Sequence, residues 1–498
     1  MKRFLSICVA VMLAAMVASA QQRLSCTHFS KRGQTRAYLP PPIPFDPQKT
    51  YRQPVLLVSF SDRDFSMDDP AAYYNRLFNE SGFNEGAGAG CVADYFREQS
   101  SGRVNLQFDI YGPVKLDTMT AGGRSFDKYG DKVVDAAVEK LCETETTNFS
   151  IYDWNQDGEV DQLVVVLAGY SGNQVAGYVW PSAGLFSGKA KLPGGVPNFM
   201  KSVTCEKWKD NRLCGIGTIV HEFCHTLGLP DIYPLSPATG FSVADEWDLM
   251  DGGNYTNYGW CPPSLTAMER MYLGWDQPVE LLTATTITGM KPLSEGGKTY
   301  IIRNPQNTNE YYLLENRKQS GWDFGIPGNG LLISHVDFDE ESWATNAVNM
   351  SDTYYRFDIF HADGKSYRDW DPADNGKDDT KWVDKDHLHN KFLSTSVYPY
   401  TNPETLVINA SLTNESNPAA TLFTANTDGL KLMSKPITNI QLADDGSISF
   451  DFMKEGTGIK AVVEDEGTHA WYDLQGRRLQ GKPAQHGVYI KNRKKVAF

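Results

Sequence analysis

The chain has 498 residues, so roughly two to four domains are expected rather than one. Its net charge of −14 and pI near 5.2 argue against nucleic acid and anionic membrane surfaces as partners. The same balance suits solubility and the binding of divalent cations.

Met1-Lys2-Arg3 precede an apolar run to Val17 and the small-residue site Ala18-Ser19-Ala20. This is the pattern of a signal peptide over 1–20, so a secreted protein is expected. No later segment is long and apolar enough to span a membrane. Residues 21–50, ending in the Pro-rich run 39–44, read as a short pro-segment or linker outside the core. Buried strands are predicted at 55–60 and 162–168, and a further strand at 104–111. Helices are predicted at 69–80, 92–99, 128–143 and 215–227. A glycine-rich loop lies at 86–90. A capped helix at 262–275, with Ser264 as its N-cap, closes a catalytic domain over 51–285. Residues 286–455 read as a β-rich accessory domain, with short strands at 299–303, 310–315 and 330–336. A small tail over 456–498 reads as a β appendage that faintly resembles a C-terminal sorting module.

The chemistry concentrates at 221–231, His-Glu-Phe-Cys-His-Thr-Leu-Gly-Leu-Pro-Asp. On a helix, His221 and His225 share one face, one turn apart, and can hold a tetrahedral zinc. Glu222 stands beside the first ligand and can reach a water at the metal without filling a coordination site. Gly228 can end the helix at positive φ, and Pro230-Asp231 can then return a third ligand. Asp248 and Glu246 compete for that role. Only nine histidines are present, and two stand here at ligand spacing.

A second motif at 153–161 alternates oxygen side chains at Asp153, Asn155, Asp157 and Asp161 around Gly158. That matches part of a calcium loop with a structural role. Val164 stands where an EF-hand carries its bidentate glutamate, and a solvated acidic turn is the competing reading. Met250, in the run 246–253, is placed as a tight-turn methionine beneath a metal. Tyr255 or Tyr258 then stands as a phenol for the substrate carbonyl, and nothing local chooses between them.

Eight cysteines include Cys8 in the signal segment. Cys205 and Cys214 flank a short loop and can pair, and Cys224 is expected in the core. Cys26 is expected to pair with an early cysteine such as Cys91, with a latency role on the zinc as the less favoured reading.

Together these segments resemble the immune inhibitor A-type secreted bacterial metalloproteases, a metzincin-like family. The resemblance rests on 221–231, 247–253 and 273–275, on 157–161, on Asp94-Tyr95-Phe96 with Ser101-Gly102, and on 311–317, 325–336 and 362–364. It covers roughly 52–400. It implies a zinc endopeptidase acting on protein or peptide substrates, with His221, His225 and Asp231 as ligands and Glu222 as the general base. Asp231 stands where most metzincins carry a third histidine. The acidic stretch 369–386 departs from the family's second metal pattern, and His335 and His361 are expected to be structural. The expected fold is α+β (mixed α/β): a metzincin-like protease domain, a β-rich sandwich-like domain and a small C-terminal β appendage. A monomer is expected. The competing readings are a secreted binding or adhesion protein with a vestigial protease domain, and a zinc hydrolase acting on a non-peptide substrate.

Overall fold

A computed structural model describes residues 39–454 except 41, 119–129, 197–198, 236–241, 352–353 and 367–391, together with 471–472, 479, 488–491 and 494–497. The signal segment, Cys26 and the stretch 369–386 lie outside the described residues. The chain divides into two compact units, Met1–Lys454 and Glu455–Phe498. The architecture is mixed α/β, with several sheets and few helices. No described helix is long and apolar enough to cross a membrane.

The first sheet is built on β1 (Thr50–Phe60), flanked in parallel by β2 (Asn105–Leu116) and β3 (Val160–Tyr170). Beyond β3 lie β4 (Ser182–Leu185) at the edge and β5 (Phe199–Lys207), which pairs in parallel with β3. Alternate residues serve opposite faces of a strand. Val55 and Leu57 face one core with α1 (Pro70–Asn79), α2 (Val92–Gln99) and, later in the chain, the helix that carries His221. Leu56 and Val58 face another with α3 (Asp131–Cys142). Coverage on both faces explains why β1 and β3 read as continuous apolar runs.

After that helix, α4 (Gly217–Thr226), comes α5 (Ala267–Tyr272). Its N-cap is Thr266, not the expected Ser264: Thr266 and Glu269 form a reciprocal capping box. Ser264 lies ahead of the helix, where its N–H donates to Asp323 (2.7 Å).

Next come β6 (Val279–Glu280), β7 (Thr285–Met290), β8 (Tyr300–Arg303), β9 (Glu310–Arg317), β10 (Gly330–Asp337), α6 (Glu340–Ala344) and β11 (Phe357–Ile359). The second sheet has the order β11-β10-β9-β8-β6. The β-hairpin of β12 (Tyr400–Thr401) and β13 (Ile408–Asn409) follows. β14 (Ile437–Leu442) and β15 (Ile448–Phe452) complete a third sheet with β7.

The boundary expected at 285/286 is not a break between compact units. Leu313, Leu332 and Val336 of the second sheet share one core with Val55, Leu57 and Phe223. On its other face Leu314 and Ile333 meet Ile437, Ile448 and Phe450. The β-rich half therefore supplies a wall of the first core. The Pro-rich segment also differs from expectation: Leu39 is buried, and Ile43 and Phe45 pack on that same core. In the second unit, β16 (Trp471–Tyr472), β17 (Val488–Lys491) and β18 (Lys494–Ala497) form a small antiparallel sheet.

Candidate metal centre

Every residue of α4 is buried, so a polar side chain on it that the surrounding elements leave unpartnered calls for an explanation. The helix stops where the sequence predicts. Gly228 has φ +105°, its N–H donates to the His225 carbonyl (3.0 Å), and the Leu229 N–H donates to that of Cys224 (3.0 Å). This is a Schellman closure. A Cβ at Gly228 would also lie 2.5 Å from the Pro40 carbonyl oxygen. Two separate demands thus exclude a side chain here. Gly228→Ala is expected to cost at least about 1–2 kcal/mol from backbone strain alone, read as a lower melting temperature.

The reversal carries Asp231 back to the two histidines. Asp231 Oδ1 lies 3.5 Å from His221 Nε2 and 3.3 Å from His225 Nε2. These three ligand atoms all lie within 4.8 Å of one another, and they form the one such group found among the described residues. Donors about 2.0–2.2 Å from a tetrahedral ion stand roughly 3.3–3.6 Å apart. Both carboxylate-to-imidazole distances therefore suit a zinc-sized ion, as does the mixed imidazole and carboxylate donor set.

The ring orientations support that fit. His221 Nδ1 bonds the Leu249 carbonyl (2.9 Å), and His225 Nδ1 bonds the Leu229 carbonyl (2.7 Å). A carbonyl oxygen only accepts, so each Nδ1 holds the ring proton and each Nε2 presents its lone pair. Burial pushes the Asp231 carboxyl up. Positive charge at His225 and His221, the role a bound cation would take over from protonated rings, outweighs it and lowers that carboxyl below the usual range. Glu222 is fully buried, and neither of its carboxylate oxygens has a hydrogen-bond partner. Burial, with Asp231 nearby, pushes its carboxyl well above the usual range, while Lys201 opposes the shift.

Met250 lies in a tight turn against the segments that carry His221 and Asp231. Its carbonyl accepts from the Ile232 N–H (2.9 Å), next to Asp231, while the Leu249 carbonyl holds His221. Asp248 is spent inside this turn, accepting from the Met250 N–H (2.7 Å). Of the three carboxylates in competition, the fold brings Asp231 to the histidines, and neither Asp248 nor Glu246 belongs to the ligand group.

The two tyrosines have different surroundings. Tyr255 is buried, and its hydroxyl accepts from Asn173 Nδ2 (3.0 Å). Tyr258 is half-buried under the Arg212 guanidinium, 4.1 Å from its ring centre.

The loop at 153–161 turns at Gly158 (φ +93°) as expected. Its oxygens accept from the loop's own amides: Asp153 from Gln156 (2.6 Å) and Gly158 (2.8 Å), Asn155 from Asp157 (2.9 Å), Asp161 from Trp154 (2.5 Å). Its carboxylates form no group of three within 4.8 Å. Burial, with Asp157 and Asp153 adding to it, pushes the Asp161 carboxyl up to about 6.

Among the cysteines, Cys205 and Cys214 are neighbours whose thiols interact, and both are free. Cys224 is buried in the core as expected. Cys91 is a free, buried thiol that caps α2 by accepting from the Asp94 N–H (3.3 Å). His335 bonds Glu310 (2.9 Å) and His361 bonds Ser396 (3.2 Å), and neither belongs to the group of His221, His225 and Asp231.

Sequence reading missed two residues that reach this centre from the β-rich half. Asn346 bonds Asp231 twice: its Oδ1 accepts from the Asp231 N–H (2.6 Å), and its Nδ2 donates to Asp231 Oδ2 (2.7 Å). Asn349 Nδ2 donates to the Ile232 carbonyl (2.8 Å). The only local signal was an asparagine pair in a loop. No family model and no curated protein matches this chain.

Proposed function

We propose that the chain is an exported zinc endopeptidase with a metzincin-like catalytic centre, resembling the immune inhibitor A-type proteases. The observation that carries this reading is the meeting of two imidazole Nε2 atoms with one carboxylate oxygen 3.5 and 3.3 Å from them, with the unpartnered carboxylate of Glu222 adjacent in sequence to His221. His221, His225 and Asp231 would hold the ion. A zinc ion there supplies Lewis acidity, which lowers the pKa of water and polarises a carbonyl.

The chain's own groups do the rest. Glu222 takes a proton from the attacking water and hands it to the leaving amine. The two backbone carbonyls on the Nδ1 atoms keep both rings in one orientation through the cycle. A buried site excludes competing water, and the acidic surface opposes nucleic acid as a substrate.

Hydrolysis of unfolded casein by purified protein tests the reading. Activity abolished by a chelator and restored by zinc supports it, and activity indifferent to the chelator sinks it. Because residues 21–50 read as a pro-segment, the assay includes a chain trimmed ahead of Leu39 beside the full one.

Calcium at 153–161 belongs to the same proposal, as a structural ion. For a carboxyl raised to about 6, the folded loop keeps a proton that the unfolded chain sheds near 3.8. The sign is therefore negative: stability falls as pH rises through that window and stays lower above it. A calcium ion would relieve the charge. At pH 7.5 calcium is expected to raise the melting temperature. Asp161→Asn is expected to raise it without calcium and to abolish the calcium response. A calcium response unchanged in Asp161→Asn would remove Asp161 from the site.

A further inference from the structure

The metal ligands come from one region, but the third is oriented from another. Asp231 and Asn346 are 115 residues apart and form a closed pair, with two hydrogen bonds between one side-chain amide and one residue's backbone and carboxylate. The consequence for Asp231 is specific. Its Oδ2 is committed to the Asn346 amide, while its Oδ1 faces both imidazoles. The carboxylate therefore presents one oxygen, in one orientation.

Asn346 is itself held firmly. It is 4% exposed and has φ +51°, a conformation that asparagine tolerates better than most residues. It follows α6, whose Trp343 is fully buried in the core shared by both halves. The Asn346 N–H donates to the Trp343 carbonyl (3.2 Å), and the Leu39 N–H donates to that of Ala344 (2.7 Å). Asn349 secures the next residue of the ligand loop, and its Oδ1 accepts from the Phe357 N–H (3.2 Å). The work at Asp231 needs a donor and an acceptor on one short planar group. Asparagine supplies both.

We infer that Asn346 is the positioning residue of the metal centre, fixing Asp231 so that Oδ1 alone meets the ion. The inference rests on the zinc reading of His221, His225 and Asp231. Asn346 is not a member of the candidate ligand group. It acts through Asp231, as outer partners of metal ligands do, where loss typically costs about 10–100-fold in metal affinity.

The test is zinc affinity of the full chain, measured by competition with a chromophoric chelator, beside the visible spectrum of the cobalt-loaded protein. Asn346→Ala is expected to weaken zinc binding about 10–100-fold and to shift the cobalt bands as the carboxylate is released. Asn346→Asp is nearly isosteric and keeps the acceptor for the Asp231 N–H, so it preserves the turn. It is expected to lose affinity at least as strongly, because a carboxylate then faces Asp231 Oδ2. Adding Asn346→Ala to Asp231→Ala is expected to cost nothing more. Asn349→Ala serves as the structural control, with a lower melting temperature and an unshifted cobalt spectrum. Parent-like zinc affinity and cobalt bands in both Asn346 variants, with affinity lost in Asp231→Ala, would overturn the inference alone. Unchanged zinc affinity in Asp231→Ala would instead overturn the ligand reading beneath it.

Discussion

Glu222→Gln is expected to abolish casein hydrolysis while leaving zinc bound at the parent's stoichiometry. The amide matches the carboxylate in volume, so α4 keeps its packing on β5 and the histidines keep their spacing. What the amide lacks is the capacity to take a proton. General acid–base groups contribute about 10²–10⁴-fold, and the loss should fall in kcat rather than in KM. The geometry makes this a clean experiment. His221 and His225 are fixed by the Leu249 and Leu229 carbonyls, and Asp231 by Asn346, so no ligand depends on Glu222 for its orientation. A companion His225→Ala variant is expected to lose zinc and activity together. The two variants separate the base from the ligand set. Retained activity in Glu222→Gln would mean that another group accepts the proton, and the proposed mechanism would fail.

The local parts of this centre were legible because they are written in consecutive residues. The spacing of His221 and His225 implies one helix face, and Gly228 implies the left-handed stop that turns the chain toward Asp231. β1 and β3 were legible because coverage on both faces leaves continuous apolar runs. β5 was not. Its Phe-Met-Lys-Ser-Val-Thr-Cys-Glu-Lys interleaves charge with apolar residues, yet Lys201, Ser202, Thr204 and Glu206 are buried. The partners of the two charged groups lie far along the chain: Glu206 accepts from the Ser66 and Gly169 N–H groups, and Lys201 meets Asp131 at 3.4 Å. A pattern rule that places charge outside has no access to such partners. The N-cap of α5 was readable and was misread, since Thr266-Ala-Met-Glu269 carries the capping-box signature and Ser264 does not. Asn346 carried no usable signal, because its role exists only once β9, β10 and α6 fold against the first sheet. The same fact explains why a boundary at 285 looked natural. Composition changes there, but the core does not stop.

Arg317→Met is expected to destabilise the first unit by about 3–5 kcal/mol, read as a lower denaturant midpoint and a lower melting temperature. Arg317 ends β9, is fully buried, and has all its donors engaged. Nη1 donates to Glu315 (2.8 Å) and to the Trp247 carbonyl (3.2 Å). Nη2 donates to Asp323 (2.8 Å) and to the Ser264 carbonyl (3.3 Å), and Nε donates to Asp323 (3.1 Å). One guanidinium thereby ties the second sheet to the start of the Met250 turn and to the segment before α5. Removing it strands two buried carboxylates, and that stranded charge is the main cost. The two acids have other duties: Glu315 accepts from the Ala267 N–H (2.5 Å) and Asp323 from the Ser264 N–H (2.7 Å). Combining Arg317→Met with Glu315→Gln and Asp323→Asn keeps those acceptors and removes the charge. That triple variant is expected to recover part of the lost stability. A triple variant no more stable than Arg317→Met would show that the cost lies in the lost ties to Trp247 and Ser264, not in unpaired charge. Either outcome bears on the candidate metal centre, because the turn that Arg317 secures at Trp247 is the one whose Leu249 carbonyl holds His221.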